Sequence, residues 1–162
     1  MLFNHIHHHG CQLITLRHEQ SAVLAAYSYA TQQNTIGIAI IGKGPAVCNI
    51  AHACYFLSKN PGRALILIGD NYAYLNKNKP NLPDYKHMDA MHMFSTLNVC
   101  TRRISLESSP LIFQAIEHDL SQNRPCILLL PVDLLDMPAP PLNNPDISMM
   151  IPSHAQFTTA SH

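Results

Sequence analysis

Residues 36–49 read IGIAIIGKGPAVCN, and this stretch decides the predicted fold. Residues 36–41 form a continuous apolar run rich in β-branched side chains, which is typical of a strand buried on both faces of a parallel sheet. A glycine-rich turn at residues 42–45 interrupts the run, and residues 46–58 read as a helix, with Pro45 suited to its first turn. A buried strand, a glycine turn and a helix in this order predict one unit of an α/β fold.

Helix-length and strand-length segments alternate on both sides of this unit. Strands are predicted at residues 12–16, 63–68, 98–104 and 126–130, and helices at residues 2–10, 17–33, 86–94 and 109–121. The alternation predicts one domain over residues 1–137, an α/β fold built as a three-layer αβα, doubly wound parallel sheet. Residues 138–162 are rich in Pro, Ser and Thr and are expected to form a linker or tail.

The predicted helices at residues 17–33 and 109–121 carry apolar side chains at helical spacing. The apolar positions are Val23, Ala26, Tyr27 and Ala30 in the first of these helices and Leu111, Ile112, Ala115 and Ile116 in the second. These positions are expected to face the sheet. The stretch from Asp70 to Asp84 contains Asn, Lys and Pro without periodicity, so it is predicted to be a long loop.

The composition limits the classes of function. Of the 162 residues, 47% are hydrophobic and 12% are charged, with ten basic and ten acidic side chains, so a disordered chain is excluded. A net charge of zero gives no electrostatic reason to expect a nucleic acid or an anionic membrane as partner. The charged fraction is about half the usual one of roughly 25%. We therefore expect part of the surface to be covered by another chain, either in an oligomer or by a partner domain.

Neither a membrane span nor a secretory signal is predicted. No run approaches the roughly 18 apolar residues that a membrane span needs. The N-terminal sequence MLFNHIHHHG has no basic flank followed by an apolar core, so the cytoplasm is the expected location.

Cysteine and histidine residues give no predicted metal site. The five cysteines form no CxxC pair and are expected to be reduced thiols buried as small apolar residues: Cys11, Cys48, Cys54, Cys100 and Cys126. The N-terminal cluster has no acidic or cysteine partner at ligand spacing and is expected to be a solvated helix: His5, His7, His8 and His9. His87 and His92 would lie on different faces of a helix.

Two segments carry polar chemistry at the expected ligand edge of the sheet. Glu19 opens a helix directly after a predicted strand, where the helix dipole favours a carboxylate, although a plain first-turn acidic residue is the alternative. The turn at residues 42–45 can direct backbone N–H groups at a ligand, or can be purely structural. It matches neither GxGxxG nor a P-loop, so a nucleotide-binding domain lacks the phosphate loop it would need.

Taken together, these segments resemble a known domain. RHEQSAVLAAYSYA, an apolar strand, GKGPAVCN and ALILIG follow one another as in the N-terminal, pyrimidine-binding domain of thiamine-diphosphate-dependent enzymes. The resemblance is to acetolactate synthase and its 2-oxo-acid decarboxylase relatives. It runs over residues 13–69 and resumes around residues 85–94 and 123–138. It implies a Rossmann-like, thiamine-diphosphate-binding fold and thiamine diphosphate as the cofactor.

The resemblance also implies roles for particular residues. Glu19 corresponds to the catalytic glutamate that hydrogen-bonds N1′ of the aminopyrimidine and shares a proton with it. The cofactor-binding positions that it implies are those of the family's GPG turn and of the Asn that follows: Gly44, Pro45, Ala46 and Asn49. Tyr85 and Lys86 stand where the family has a Phe-Gln pair near the substrate, which argues against ordinary acetolactate chemistry.

The departures from the family point to a missing partner. Ala46 replaces the second Gly of the turn, so a positive φ at that position would be strained. The family's first strand has no counterpart. Its GDG…N motif, which holds the diphosphate through Mg²⁺ on a separate domain, has no match here either. The resemblance therefore implies a partner domain or subunit, in a homo- or hetero-oligomer, and catalysis by this chain alone is not expected. The alternative is a non-catalytic remnant or regulatory binding module of the same fold.

Overall fold

The structure, a computed structural model, describes residue 6 and residues 10–71, 88–106 and 109–136. The helices there are α1 (Glu19–Gln33), α2 (Pro45–Asn49), α3 (Ala51–Lys59), α4 (Ala90–Thr96) and α5 (Ser109–Ser121). The strands are β1 (Gly37–Ile41), β2 (Ala64–Asp70), β3 (Cys100–Arg103) and β4 (Cys126–Pro131), and a 3₁₀ turn (Leu134–Asp136) follows β4. The strands form one parallel sheet in the order β1-β2-β4-β3.

Helices cover both faces of this sheet. On one face, Val23 of α1, Leu57 of α3 and Phe94 of α4 are buried against alternate side chains of the strands. On the other face, Ile116 and Leu120 of α5 pack against the remaining side chains of β4 and against β2. The observed architecture is therefore the predicted three-layer αβα fold with a parallel sheet. The predicted inward positions of α1 also hold, since three of them are buried and the fourth is half-buried: Val23, Ala26, Ala30 and Tyr27.

The predicted burial of residues 36–41 on both faces is wrong for β1. Burial alternates along this strand, and the side chain of Ile38 is 56% exposed. Among the described strands, β4 alone is buried along its whole length, and it is one of the two interior strands of the sheet. The reason is position in the sheet, because β1 is an edge strand and α5 packs over β4 instead.

The predicted strand at residues 12–16 is also absent. These residues adopt no regular structure and are exposed, with Ile14 at 78%. A strand needs a neighbour to satisfy its backbone N–H and C=O groups. Within the described ranges, no strand pairs with the outer edge of β1, and residues 12–16 lie outside the sheet.

Smaller differences concern element ends. The predicted helix at residues 46–58 is two helices, α2 and α3, which meet at the fully buried Ile50. The strand predicted to end at residue 68 continues to Asp70, which is buried rather than part of a loop. The predictions for residues 2–10 and 138–162 lie outside the described residues, except at residues 6 and 10, as does most of the predicted loop from residue 70 to 84.

A close approach between backbones seats α1 on β1. A Cβ atom added to Gly37 would lie far inside van der Waals contact distance of the Ala26 carbonyl oxygen, so the strand and the helix touch where neither has a large side chain. Only glycine permits this approach. Because α1 begins at Glu19 and is followed directly by β1, this contact between helix and strand also fixes the position of Glu19 relative to the sheet.

We predict that Gly37→Ala lowers the free energy of unfolding by about 1–3 kcal/mol, because the added methyl group forces α1 and β1 apart. Urea unfolding followed by circular dichroism measures this. Gly42→Ala is the matched control, since a Cβ there would meet the Cβ of Ala46 at 3.7 Å, an ordinary contact. Equal stabilities of the two variants would contradict the role of the close approach.

Candidate functional site

The candidate site lies where α1 begins, at the carboxyl end of the sheet. His18 is the N-cap of α1 in an extended conformation, and its Nδ1 atom accepts a hydrogen bond from the backbone N–H of Gln20 at 3.2 Å. Glu19 follows as the first helical residue and is half-exposed. The first turn of a helix is favourable for a carboxylate because unpaired N–H groups and the dipole lie there.

The structure brings together two residues that the sequence pointed to separately. The side-chain amide of Asn49, the last residue of α2, donates a hydrogen bond from Nδ2 to Oε2 of Glu19 at 3.0 Å. A second side-chain link lies beside it, between Nε2 of Gln20 and Nδ1 of His52 in α3, at 3.0 Å. The first turn of α1 is therefore tied to both helices that follow the glycine turn.

The surroundings of Glu19 favour its ionised form. The hydrogen bond from Asn49 lowers the pKa of the Glu19 carboxyl most, followed by the backbone N–H of Glu19 itself and the nearby His18. Desolvation opposes this effect but is outweighed by the hydrogen bonds, so the pKa stays below its ordinary value. At neutral pH Glu19 is therefore a hydrogen-bond acceptor of fixed orientation.

The glycine turn has its unusual backbone at Gly44. This residue has φ 71° and ψ −124°, is buried, and precedes α2 as its N-cap, with Pro45 at the first helical position. Ala46 lies within α2 and has no positive φ. The strain that the resemblance implied for a positive φ at Ala46 does not arise, because the left-handed conformation falls on a glycine.

The described chain after residue 87 is attached near this turn. The Cys48 Sγ and Met88 Sδ atoms are 3.9 Å apart, and the side-chain amide of Asn71 donates to the Met88 carbonyl at 2.9 Å. Met88 therefore lies between α2 and the end of β2. Tyr85 and Lys86, the predicted substrate-side residues, lie outside the described residues.

One polar pair at the same sheet edge was missed. Asp70 ends β2 with its side chain 2% exposed, and its Oδ2 atom is 2.6 Å from Nε of Arg103, the last residue of β3. The ion pair crosses over β4, which lies between these strands. The sequence carries no local signal for this pair, because residues 64–68 are uniformly apolar and the alternate burial that extends to Asp70 is visible only in the structure.

The fold and this edge define a class of protein. A parallel α/β sheet with a fixed carboxylate and a glycine turn at its carboxyl end is typical of domains that bind small molecules or cofactors there. The family model described as thiamine pyrophosphate enzyme, N-terminal TPP binding domain, matches residues 1–95. The chain therefore belongs to this family of thiamine-diphosphate-binding domains. No curated protein matches the chain.

The family match covers the candidate site but not the whole sheet. Glu19, Asn49 and the glycine turn lie within it, whereas β3, α5 and β4 lie beyond residue 95. The residues present fit the pyrimidine part of the cofactor, since a half-exposed carboxylate held by an amide can accept a hydrogen bond from a protonated ring nitrogen. In the described part of the chain, no helix has the length and apolarity that crossing a membrane requires.

We predict that Asn49→Ala raises the pKa of Glu19 towards its ordinary value, because the largest cause of the lowered pKa is removed. NMR titration of the Glu19 carboxyl carbon measures the change. Asn60→Ala is the control, since the Asn60 amide donates to the Phe56 carbonyl and not to Glu19. An unchanged titration midpoint in Asn49→Ala would show that the hydrogen bond does not hold the carboxylate.

Proposed function

We propose that this chain is the pyrimidine-side domain of a thiamine-diphosphate enzyme of the acetolactate synthase or 2-oxo-acid decarboxylase type. In this proposal a separate domain or subunit binds the diphosphate and Mg²⁺, and catalysis needs both. The observation that supports it is the hydrogen bond between Asn49 and Glu19 at the carboxyl end of the sheet, next to the turn at Gly44.

Each residue of the site has a distinct task in this proposal. When bound, thiamine diphosphate supplies the electron sink that decarboxylation of a 2-oxo acid requires. Glu19 is the catalytic residue and holds a proton at N1′ of the pyrimidine. Asn49 is a positioning residue, since its amide fixes the carboxylate. The backbone of Gly44, Pro45 and Ala46 lines the ring.

Association with the partner would also raise the pKa of the Glu19 carboxyl group. A carboxylate open to water keeps a low pKa, as Glu19 does in this chain. Covering it removes water, which disfavours the charged form and raises the pKa. The shift brings the carboxyl group closer to sharing a proton with a ring nitrogen, which is the property that proton transfer requires. The proposal therefore links catalysis to assembly.

The exposed apolar surface supports a partner. Ile36 and Ile38 lie next to and within the edge strand β1 and are 39% and 56% exposed. On α5, Leu111 and Phe113 are 69% and 47% exposed. These side chains belong to a chain with only 12% charged residues. Apolar surface of this kind is favourably covered by another protein surface, in a homo- or hetero-oligomer. Tyr85 and Lys86 are assigned to the substrate side.

We predict that thiamine, which lacks the diphosphate, binds this chain with a dissociation constant on the order of 1 mM, since only the ring contacts are available. Backbone amide shifts in a two-dimensional NMR titration should change around residues 18–22 and 42–50. Glu19→Gln should reduce the shifts, because a neutral amide cannot share a proton with the ring nitrogen as a carboxyl group can.

Glu117→Gln is the matched control, because Glu117 is an exposed glutamate on α5, across the sheet from α1. It should bind thiamine as the unchanged chain does. The proposal fails if the shifts occur elsewhere on the chain, or if Glu19→Gln and Glu117→Gln respond alike.

We also predict that, in a complex reconstituted with a chain that carries the GDG…N motif, Glu19→Gln lowers the rate of CO₂ release from pyruvate by about 10²–10⁴-fold. Removing the proton-holding group should affect kcat more than the affinity for pyruvate. An unchanged rate would show that Glu19 is not the catalytic residue. Thiamine binding without activity in any such complex would favour the regulatory module instead.

A further inference from the structure

Two thiols lie side by side at the end of the sheet opposite the candidate site. Cys100 and Cys126 are the first residues of β3 and β4 and are directly paired in the parallel register. Their Sγ atoms are 3.6 Å apart. Neighbouring strands lie about 4.8 Å apart, which falls within the Cα separations of roughly 4.4–6.8 Å that disulfides span. Small rotations of the side chains can therefore join the two sulfur atoms while the strands stay in place.

The two thiols are not equally accessible. Cys100 lies on the outer strand β3 and is half-exposed, whereas Cys126 lies on the central strand and is fully buried. The Cys126 thiol donates a hydrogen bond to Cys100, which is the largest cause of a lowered pKa at Cys100. Burial and the Asp119 carboxylate of α5 oppose this effect, the Arg102 guanidinium supports it, and the pKa stays below its ordinary value. The same hydrogen bond and burial raise the pKa of Cys126. Compared with Cys126, Cys100 is therefore the thiol that ionises more readily and that an oxidant from solvent can reach.

A buried carboxylate completes the cluster. Asp119 of α5 is 3% exposed. Its Oδ2 atom accepts hydrogen bonds from the Cys100 thiol, at 3.1 Å, and from the Arg102 guanidinium. Its Oδ1 atom lies 3.3 Å from Nη1 of Arg124. Within the described ranges, Cys100, Asp119 and Cys126 also offer three metal-ligand atoms within 4.8 Å of one another. Two arginines already provide the positive charge that a metal ion would bring to this carboxylate, which favours thiol chemistry over cation binding.

We propose that Cys100 and Cys126 form an oxidisable dithiol that hydrogen peroxide converts into a disulfide across β3 and β4. The Cys100 thiolate attacks one peroxide oxygen, so that an S–O bond forms, the O–O bond breaks, and hydroxide leaves and takes up a proton as water. The Cys126 sulfur then attacks the sulfenic acid; an S–S bond forms, the S–O bond breaks, and the hydroxyl leaves with the Cys126 proton as a second water. Both thiols are oxidised, and one peroxide is reduced to two waters.

The disulfide would fasten an edge of the sheet. Strand β3 has four residues and pairs only with β4 in the described part of the chain. The cross-link would close a loop of roughly 27 residues that contains α5 and would remove chain entropy from the unfolded state. Glu19 and Asn49 lie at the other end of the sheet. The dithiol proposal is therefore independent of thiamine binding, and its refutation would leave the proposed function unaffected.

The test is oxidation of the purified chain with a few equivalents of hydrogen peroxide. After free thiols are alkylated, non-reducing mass spectrometry should find a loss of two hydrogens and a peptide joining Cys100 to Cys126. The unfolding temperature should rise by about 10 °C and return after reduction with dithiothreitol. Cys100→Ser should abolish both effects, with Cys100→Ala as a second variant. Cys48→Ser is the matched control, since Cys48 is exposed and distant in the fold, and should retain both.

Three outcomes would overturn the proposal. One is oxidation of Cys100 to sulfinic or sulfonic acid without a cross-link. Another is cross-linking only through Cys11 or Cys48, both of which are exposed. The third is a zinc ion that purifies with the chain and is lost in both Cys100→Ser and Asp119→Asn, because that result would identify a metal site instead.

Discussion

The hydrogen bond from Asn49 to Glu19 is the contact on which the candidate site depends. It joins the start of α1 to the end of α2, two elements that are separated by β1 and the glycine turn. The bond is possible because α1 is seated closely on β1 at Gly37 and because the positive φ of Gly44 directs the chain into α2. The backbone conformations at Gly37 and Gly44 thus position the Glu19 carboxylate. The Asn49 amide then fixes the orientation of this carboxylate and stabilises its ionised form.

The sheet is covered unevenly, and this asymmetry separates three features of the molecule. Helices α1, α3 and α4 bury one face, whereas α5 covers the second face mainly over β4 and leaves Ile38 of β1 exposed. The carboxyl end of the sheet carries Glu19, Asn49 and the Asp70–Arg103 ion pair. The amino end carries the two neighbouring thiols. The proposed cofactor site and the proposed dithiol therefore lie at opposite ends of the sheet, and exposed apolar side chains proposed for partner contact lie on β1 and α5.

Much of the fold could be predicted, because buried strands and amphipathic helices are local patterns. The strands at residues 37–41 and 126–131 and helix α1 lie close to their predicted positions. The failures concern neighbours in space. Within the residues that the structure describes, residues 12–16 have the pattern of a strand but no strand beside them, and the exposed side of β1 is apolar but lacks a covering helix. The helical spacing predicts that Leu111 faces the sheet, yet Leu111 is 69% exposed because the inner face of α5 is formed by Ile116 and Leu120.

The same distinction applies to the site. Glu19 and the glycine turn were found from their places after predicted strands and from a family resemblance, but their link through Asn49 joins residues thirty positions apart and has no local signature. The sequence assigns Asp70 to a loop because it opens a polar stretch without periodicity, and nothing local reveals its partner, Arg103, on a strand that is not adjacent to β2. A crystal structure of the chain with thiamine tests the central claim most directly. The claim predicts that a Glu19 carboxylate oxygen lies about 2.6–3.0 Å from N1′, with the ring against the turn at Gly44. A ring bound elsewhere, with Glu19 facing only water, would contradict it.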